Sequence, residues 1–333
     1  MQKLLLLVFI SFTIFLKADV INVSASIVPQ AYFIQKIAKD KVNVNVMVKP
    51  GFSAATYEPK ISQMKLLSKS KIYFSIGVPF ESSWLKKFQN SNKNMKIVDT
   101  SKGIKKIAMI EHKHHDEHHD DKHDDEHHDD KHDDEHHVDK HDDEHHDDKH
   151  NDDHWFSWFT KLFFDDDHHD DHGLDPHVWL DPILVKIQAK NIYEALIKID
   201  KKNEEFYYNN YLKFLEELDK LNEKIATILK PVKDKSFMIF HPALGYFAKR
   251  YDINQIAIEK EGKDPKPKEI LELIKKAKEN NIKVVFAAKQ FSQKTAKSIS
   301  KNINGKVILM NPLSKEYDIN LLKIAQDVSD SYK

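Results

Sequence analysis

Residues 111–172 cannot be buried, and that limits what the whole chain can fold into. Apart from a short island, "WFSWF" at 155–159 with Leu162, Phe163 and Phe164, the stretch is almost entirely histidine, aspartate, glutamate and lysine. Ordering each residue costs about 1–2 kcal/mol of backbone entropy, and only apolar burial offsets that. The segment is therefore predicted to be a disordered insertion. Its aromatic island either anchors the returning chain or docks as a short amphipathic helix. Any core must be built from the two flanking pieces. The insertion is also repetitive: His-His-Asp-Asp-Lys-His-Asp-Asp-Glu occupies 118–126 and again 127–135, with looser copies at 136–144 and 145–153. It holds 19 of the 21 histidines; only His177 and His241 lie outside it.

The formal net charge of −1 hides a split. Between Glu111 and His172 there are 26 acidic residues against 6 lysines, a balance of −20 with histidine neutral, so the rest of the chain carries +19. Arm and body should attract at low salt and much less once screened. The lysines of the body are spread out, without a cluster and without interleaved aromatics, which argues against nucleic acid as a partner.

The N-terminus begins with one lysine and an apolar run of about a dozen residues, closing on a small residue. That is the pattern of a secretory signal peptide over residues 1–18, cleaved after Ala18. The run is short for a spanning helix, which needs about 20 apolar residues. There is no cysteine, hence no disulfide and no thiol for lipid attachment. Such a chain must fold on its core alone, as a soluble protein of a bacterial periplasm does.

Outside the insertion the pattern alternates short strands with helices, which predicts small parallel sheets covered by helices. In residues 19–110, strands are expected at 20–28, 42–48, 72–77 and 95–99, with helices at 30–39, 60–69 and around 84–88. After the insertion, 173–202 completes the first lobe, with a helix over 182–199 that Asp181 caps and Pro182 opens. Next comes a long helix, 204–229 within a linking segment 203–230. Its predicted apolar stripe is Tyr211, Leu215, Leu218, Ile225 and Leu229, with Asn222 filling the gap. Twenty-six residues would reach about 39 Å, which suits a strut spanning two lobes. A second α/β lobe fills 231–333. Its strands are expected at 236–240, 253–258, 282–288 and 306–310, and its helices at 243–251, 268–280, 293–303 and 317–332. The fold class is α/β: two similar lobes, each a small parallel sheet flanked by helices, joined by one long helix.

In open α/β sheets ligands bind beyond the carboxyl ends of strands, and His241 comes directly after such a strand. His177 lies in "DPHVWLDP" (175–182), between two prolines and just before a helix. Each histidine could be a satisfied structural residue, or the two could converge on a cleft between the lobes. There is no His-Glu-x-x-His and no Gly-x-Ser-x-Gly, so nothing points to a hydrolase.

Three stretches, "KPGFSAATYEPK" (49–60), "HGLDPHVWLDP" (172–182) and "FMIFHPALGYFAKRY" (237–251), resemble the metal-binding receptors of bacterial ABC transporters, most closely periplasmic zinc receptors of the ZnuA type. The resemblance covers nearly all of the mature chain and includes a His- and acid-rich insertion before the Asp-Pro-His motif. It implies a monomeric, non-enzymatic receptor with two lobes on a long helix, Zn2+ between them, and an inner-membrane ABC permease as partner. His177 and His241 fall on two of the family's metal ligands. The family's further histidine falls on Ala55, and its late carboxylate on Asn311. Two of four expected ligands are therefore missing, while zinc favours four. Glu58 is the nearest carboxylate to the lost position and could ligate or brace its loop. Asn311 offers only an amide oxygen. His168, His169 and His172, at the arm's end, are close enough in sequence to reach the cleft. The repeat histidines, including His118, His119, His123, His127, His128, His132, His136 and His137, read as a zinc collector or buffer whose capacity falls below about pH 6. A receptor for manganese, iron or nickel, and a storage protein acting through the repeat alone, are the alternatives.

Overall fold

The computed structural model describes residues 20–109 and 173–333, apart from Glu261 and Ser292. The leader and the whole repeat lie outside the described residues. So do His172 and the other arm histidines.

In the first lobe β1 (Ile21–Ala25), α1 (Val28–Ala38), β2 (Val42–Val46), α2 (Ile61–Leu67), β3 (Ile72–Ser75), α3 (Phe80–Ser91) and β4 (Lys96–Asp99) come in order. The four strands form one parallel sheet in the order β2-β1-β3-β4. The predicted first strand was too long. Its β-branched run continues to Val28, but the chain leaves the ladder after Ala25 and Pro29 sits in the first turn of α1, where a missing N–H costs nothing.

After the insertion, α4 (Pro182–Ile199) begins as expected, with Asp181 accepting from the backbone N–H groups of Ile183 and Leu184. The strut α5 (Glu204–Leu229) has the predicted bounds. Its buried stripe differs from the prediction: Tyr207, Phe214, Leu218, Leu221, Ile225 and Leu229 face the core. Tyr211 and Leu215 are only half-buried. The reason is that α5 packs against three helices: α1, α4 and the last helix of the chain. Tyr211 lies to one side and stacks on Tyr193 of α4, with ring centroids 5.1 Å apart. Asn222 does not fill the stripe; its side-chain oxygen accepts from the Tyr251 hydroxyl at 3.1 Å.

The second lobe repeats the plan with β5 (Ser236–Ile239), α6 (Gly245–Arg250), β6 (Asn254–Ala257), α7 (Pro267–Glu279), β7 (Val284–Ala288), α8 (Lys294–Asn302), β8 (Lys306–Met310) and α9 (Tyr317–Asp330). Its parallel sheet has the order β6-β5-β7-β8. The same strand order in both sheets puts the first strand of each lobe second in its sheet, with its C-terminal end flanked by two other strand ends.

Candidate metal centre

His241 is the second residue beyond β5, and sheet register decides what it meets. Ile239 pairs with Ala257 in β6, and the ladder runs on, with Glu259 N–H donating to the Phe240 carbonyl at 3.1 Å. Two residues past each strand, His241 and Glu259 are therefore neighbours. His241 Nδ1 lies 2.6 Å from Glu259 Oε1, and Glu259 is 7 % exposed. On the other side of β5, the chain after β7 brings Phe291 against the imidazole, with centroids 4.6 Å apart and planes 26° from parallel.

His177 is placed by its own motif. Asp175 Oδ1 accepts from both His177 N–H at 2.8 Å and the ring at Nδ1, 2.7 Å away. A short 3-10 turn, Val178–Leu180, comes directly after. Within it the indole N–H of Trp179 donates to the Pro312 carbonyl at 2.8 Å, which fastens the motif to the turn after β8. Asp175 is itself held from the second lobe. Its carbonyl accepts from the Tyr246 hydroxyl at 2.8 Å, and that hydroxyl accepts from Ile107 N–H at 3.1 Å. Gly245 allows the approach, since a Cβ there would stand 2.7 Å from Asp175 Oδ2. Arg250, itself exposed, adds an ion pair with the buried Asp181, at 2.8 Å for the closest atoms.

These fastenings bring the two lone histidines together. Their ring centroids are 5.2 Å apart and their planes 69° to one another. A carboxylate oxygen offers only lone pairs, so each carboxylate can accept from the Nδ1 it faces, and Nε2 is the second nitrogen of each ring. This is the arrangement of metal-binding histidines generally: one ring nitrogen to a carboxylate, the other to the ion. The spacing can be tested against zinc. With Zn–N of about 2.1 Å and a tetrahedral angle, two imidazoles sharing one ion have centroids about 5.2 Å apart. The separation in this chain fits.

The other candidates do not join the pair. Among the described residues no three His, Asp or Glu side chains converge in a metal-holding group. Glu58 is exposed. Its loop is braced instead by Gln63, whose amide donates to the carbonyls of Val46 and Met47, and by the buried Tyr57, whose hydroxyl bonds Gln63 at 2.8 Å. The bracing role considered for Glu58 thus belongs to Gln63 and Tyr57. Ala55, at the family's histidine position, offers no side-chain donor. Asn311 is exposed, and its Oδ1 accepts from Leu313 N–H at 3.1 Å, a local turn. Asp175, Glu259 and Phe291 were missed by sequence reasoning. Asp175 was within reach, two residues before His177; Glu259 becomes visible only once β6 is known to lie beside β5.

The described chain also shows where the insertion departs. Met109 N–H donates to the Gly173 carbonyl at 3.0 Å, and Asp175 N–H to the Ile107 carbonyl at 2.8 Å. The outgoing and returning strands are thus tied side by side next to the Asp-Pro-His segment.

Residues 23–327 match the family model described as ZnuA, zinc-uptake complex component A, periplasmic. The high-affinity zinc uptake system protein ZnuA of Bacillus subtilis is 34 % identical over 143 residues, 42 % of this chain and 45 % of its own length. The chain thus spans less than half the length of that curated relative. A crystal structure of ZnuA superposes with a TM-score of 0.74 at 33 % identity, covering 95 % of this chain and all of that one. A ZnuA deletion mutant with zinc bound superposes with a TM-score of 0.73, also at 33 % identity, covering 94 % of this chain and 98 % of its own.

Proposed function

The chain belongs to the periplasmic ZnuA family of zinc-uptake components, a family of solute-binding receptors, and from that premise we propose that it is a high-affinity Zn2+ receptor delivering metal to an inner-membrane ABC permease. The observation that carries this reading is the 5.2 Å approach of His177 and His241. Each ring already has its Nδ1 on a carboxylate. We assign the two Nε2 atoms as the protein's first two bonds to zinc. Lobe closure on the ion is small, because one continuous helix, α5, is packed along both lobes and resists a wide hinge. The protein is exported with its leader removed near Ala18 and acts as a monomer.

Two imidazoles alone bind zinc weakly, and a transport site still needs about three protein ligands. Asn311 is a poor choice, since its oxygen is engaged in a turn. Glu58 would have to swing in from solvent. The arm offers a better third ligand: His172 precedes His177 by five residues, and the arm's base is tied beside Asp175. The remaining arm histidines act as a collector. Many weak sites on a tether raise the zinc concentration beside the cleft without any fixed geometry. Titration of the mature protein with zinc, with and without residues 111–172, tests both roles. Loss of the tightest equivalent on deletion supports the His172 ligand. Retention of that equivalent with lower capacity assigns the arm to collection alone. Elemental analysis of the tightest-bound equivalent decides between zinc and manganese, iron or nickel. A protein that stored metal through the repeat alone would keep its affinity in His177→Ala and His241→Ala.

A further inference from the structure

We infer that Glu259 is a positioning residue that fixes the His241 ring as the Nδ1–H tautomer and so decides which nitrogen the site presents to metal. The inference rests on the reading of His241 as a ligand. It starts from the sheet. In the order β6-β5-β7, the ring beyond β5 is flanked by the segment after β6 on one side and by the segment after β7 on the other. Glu259 comes from the first and Phe291 from the second. Phe291 lies nearly parallel to the imidazole at 4.6 Å and sets the plane of the ring. Glu259, at 2.6 Å from Nδ1, sets the direction within that plane. A neutral imidazole free in water exchanges between its two tautomers. A buried acceptor with no proton to give selects one of them. His177 gets the same service from a residue two positions away in its own motif, whereas His241 gets it from a separate strand. Glu259 therefore joins strand register to the chemistry of the site, although it contributes no bond to the ion.

Nitrogen NMR of the imidazoles in the metal-free mature protein, above the imidazole titration range, reads the tautomer directly. His241 in the unaltered protein should be Nδ1–H; finding it as Nε2–H overturns the inference without any variant. Glu259→Gln can both donate and accept, so it should mix the tautomers of His241 while leaving His177 unchanged. Zinc affinity should then fall by roughly 10- to 100-fold. Glu259→Asp keeps a carboxylate and should restore the Nδ1–H signature. A Glu259→Gln protein that keeps both tautomer and affinity refutes the inference even if His241→Ala abolishes tight binding. If His241→Ala leaves affinity intact, the reading of the site falls instead, and the tautomer measurement still decides the role of Glu259.

Discussion

Replacing Gly245 by alanine tests how tightly the two lobes are fitted around the Asp-Pro-His segment. Gly245 opens α6, and by backbone preference alone alanine there would stabilise by about 0.5–1 kcal/mol. The structure predicts the opposite sign. The added Cβ would stand 2.7 Å from Asp175 Oδ2, whereas ordinary contact begins near 3.4 Å. Something must move by about 0.7 Å. A flexible side-chain end would yield at little cost, but Asp175 is 1 % exposed and bound on several atoms. Its Oδ1 holds two groups of His177, at 2.8 and 2.7 Å, and its carbonyl holds Tyr246. A shift of that size stretches the His177 bonds to the limit of hydrogen bonding. Overpacking in a filled interior costs about 1–3 kcal/mol, which outweighs the helix preference. The net loss should be about 1–2 kcal/mol, a melting temperature lower by roughly 2–8 °C for a body of this size. The zinc affinity should fall with it, because His177 is aimed by the group displaced. Calorimetric melting of the metal-free protein and zinc titration are the assays. An unchanged or raised melting temperature would mean that Asp175 yields freely and that the two lobes are not tightly fitted at Gly245.

Stability away from the histidine pair rests partly on two buried carboxylates, Glu81 and Asp181. Glu81 is buried and accepts from Ser26 and from the N–H groups of Ile76 and Gly77, yet burial prevails and pushes its carboxyl up to about 7 from 4.5. The folded state then holds a proton that the unfolded chain releases, so stability falls as pH rises from 4.5 through 7. The total is about 3 kcal/mol, and urea midpoints against pH should show that slope flattened in Glu81→Gln. Arg250→Ala leaves the buried Asp181 without its cation, but the Arg250 side chain is a third exposed and water screens the pair, so the cost should be about 1–2 kcal/mol. Two helix N–H groups still hold Asp181; thermal melting of the variant against the parent measures the loss.

Much of the architecture was legible because it was local. Asp181-Pro182 fixes the start of α4, Pro231 limits the strut, and alternation of apolar runs gives both sheets. The strut's buried face was legible in part: Leu218, Ile225 and Leu229 are buried as expected, but three helices surround the strut, so a single apolar stripe does not say how far round it is covered. The two histidines stood out because they are the only ones outside the arm. The groups that aim them were hidden to different degrees. Asp175 is a neighbour in sequence, whereas the Glu259 contact exists only through the pairing of β5 with β6, and Phe291 only through β7 on the other flank. Register is a property of the assembled sheet, and no spacing along the chain announces it.

Diffraction from the zinc-loaded mature protein, with anomalous signal at the zinc edge, shows whether one ion bridges His177 and His241. One dominant zinc peak should lie about 2.0–2.1 Å from the Nε2 atoms of both His177 and His241, with Asp175 and Glu259 still on the opposite ring nitrogens. A tightest-bound zinc that touches neither ring, or only one, would contradict that placement.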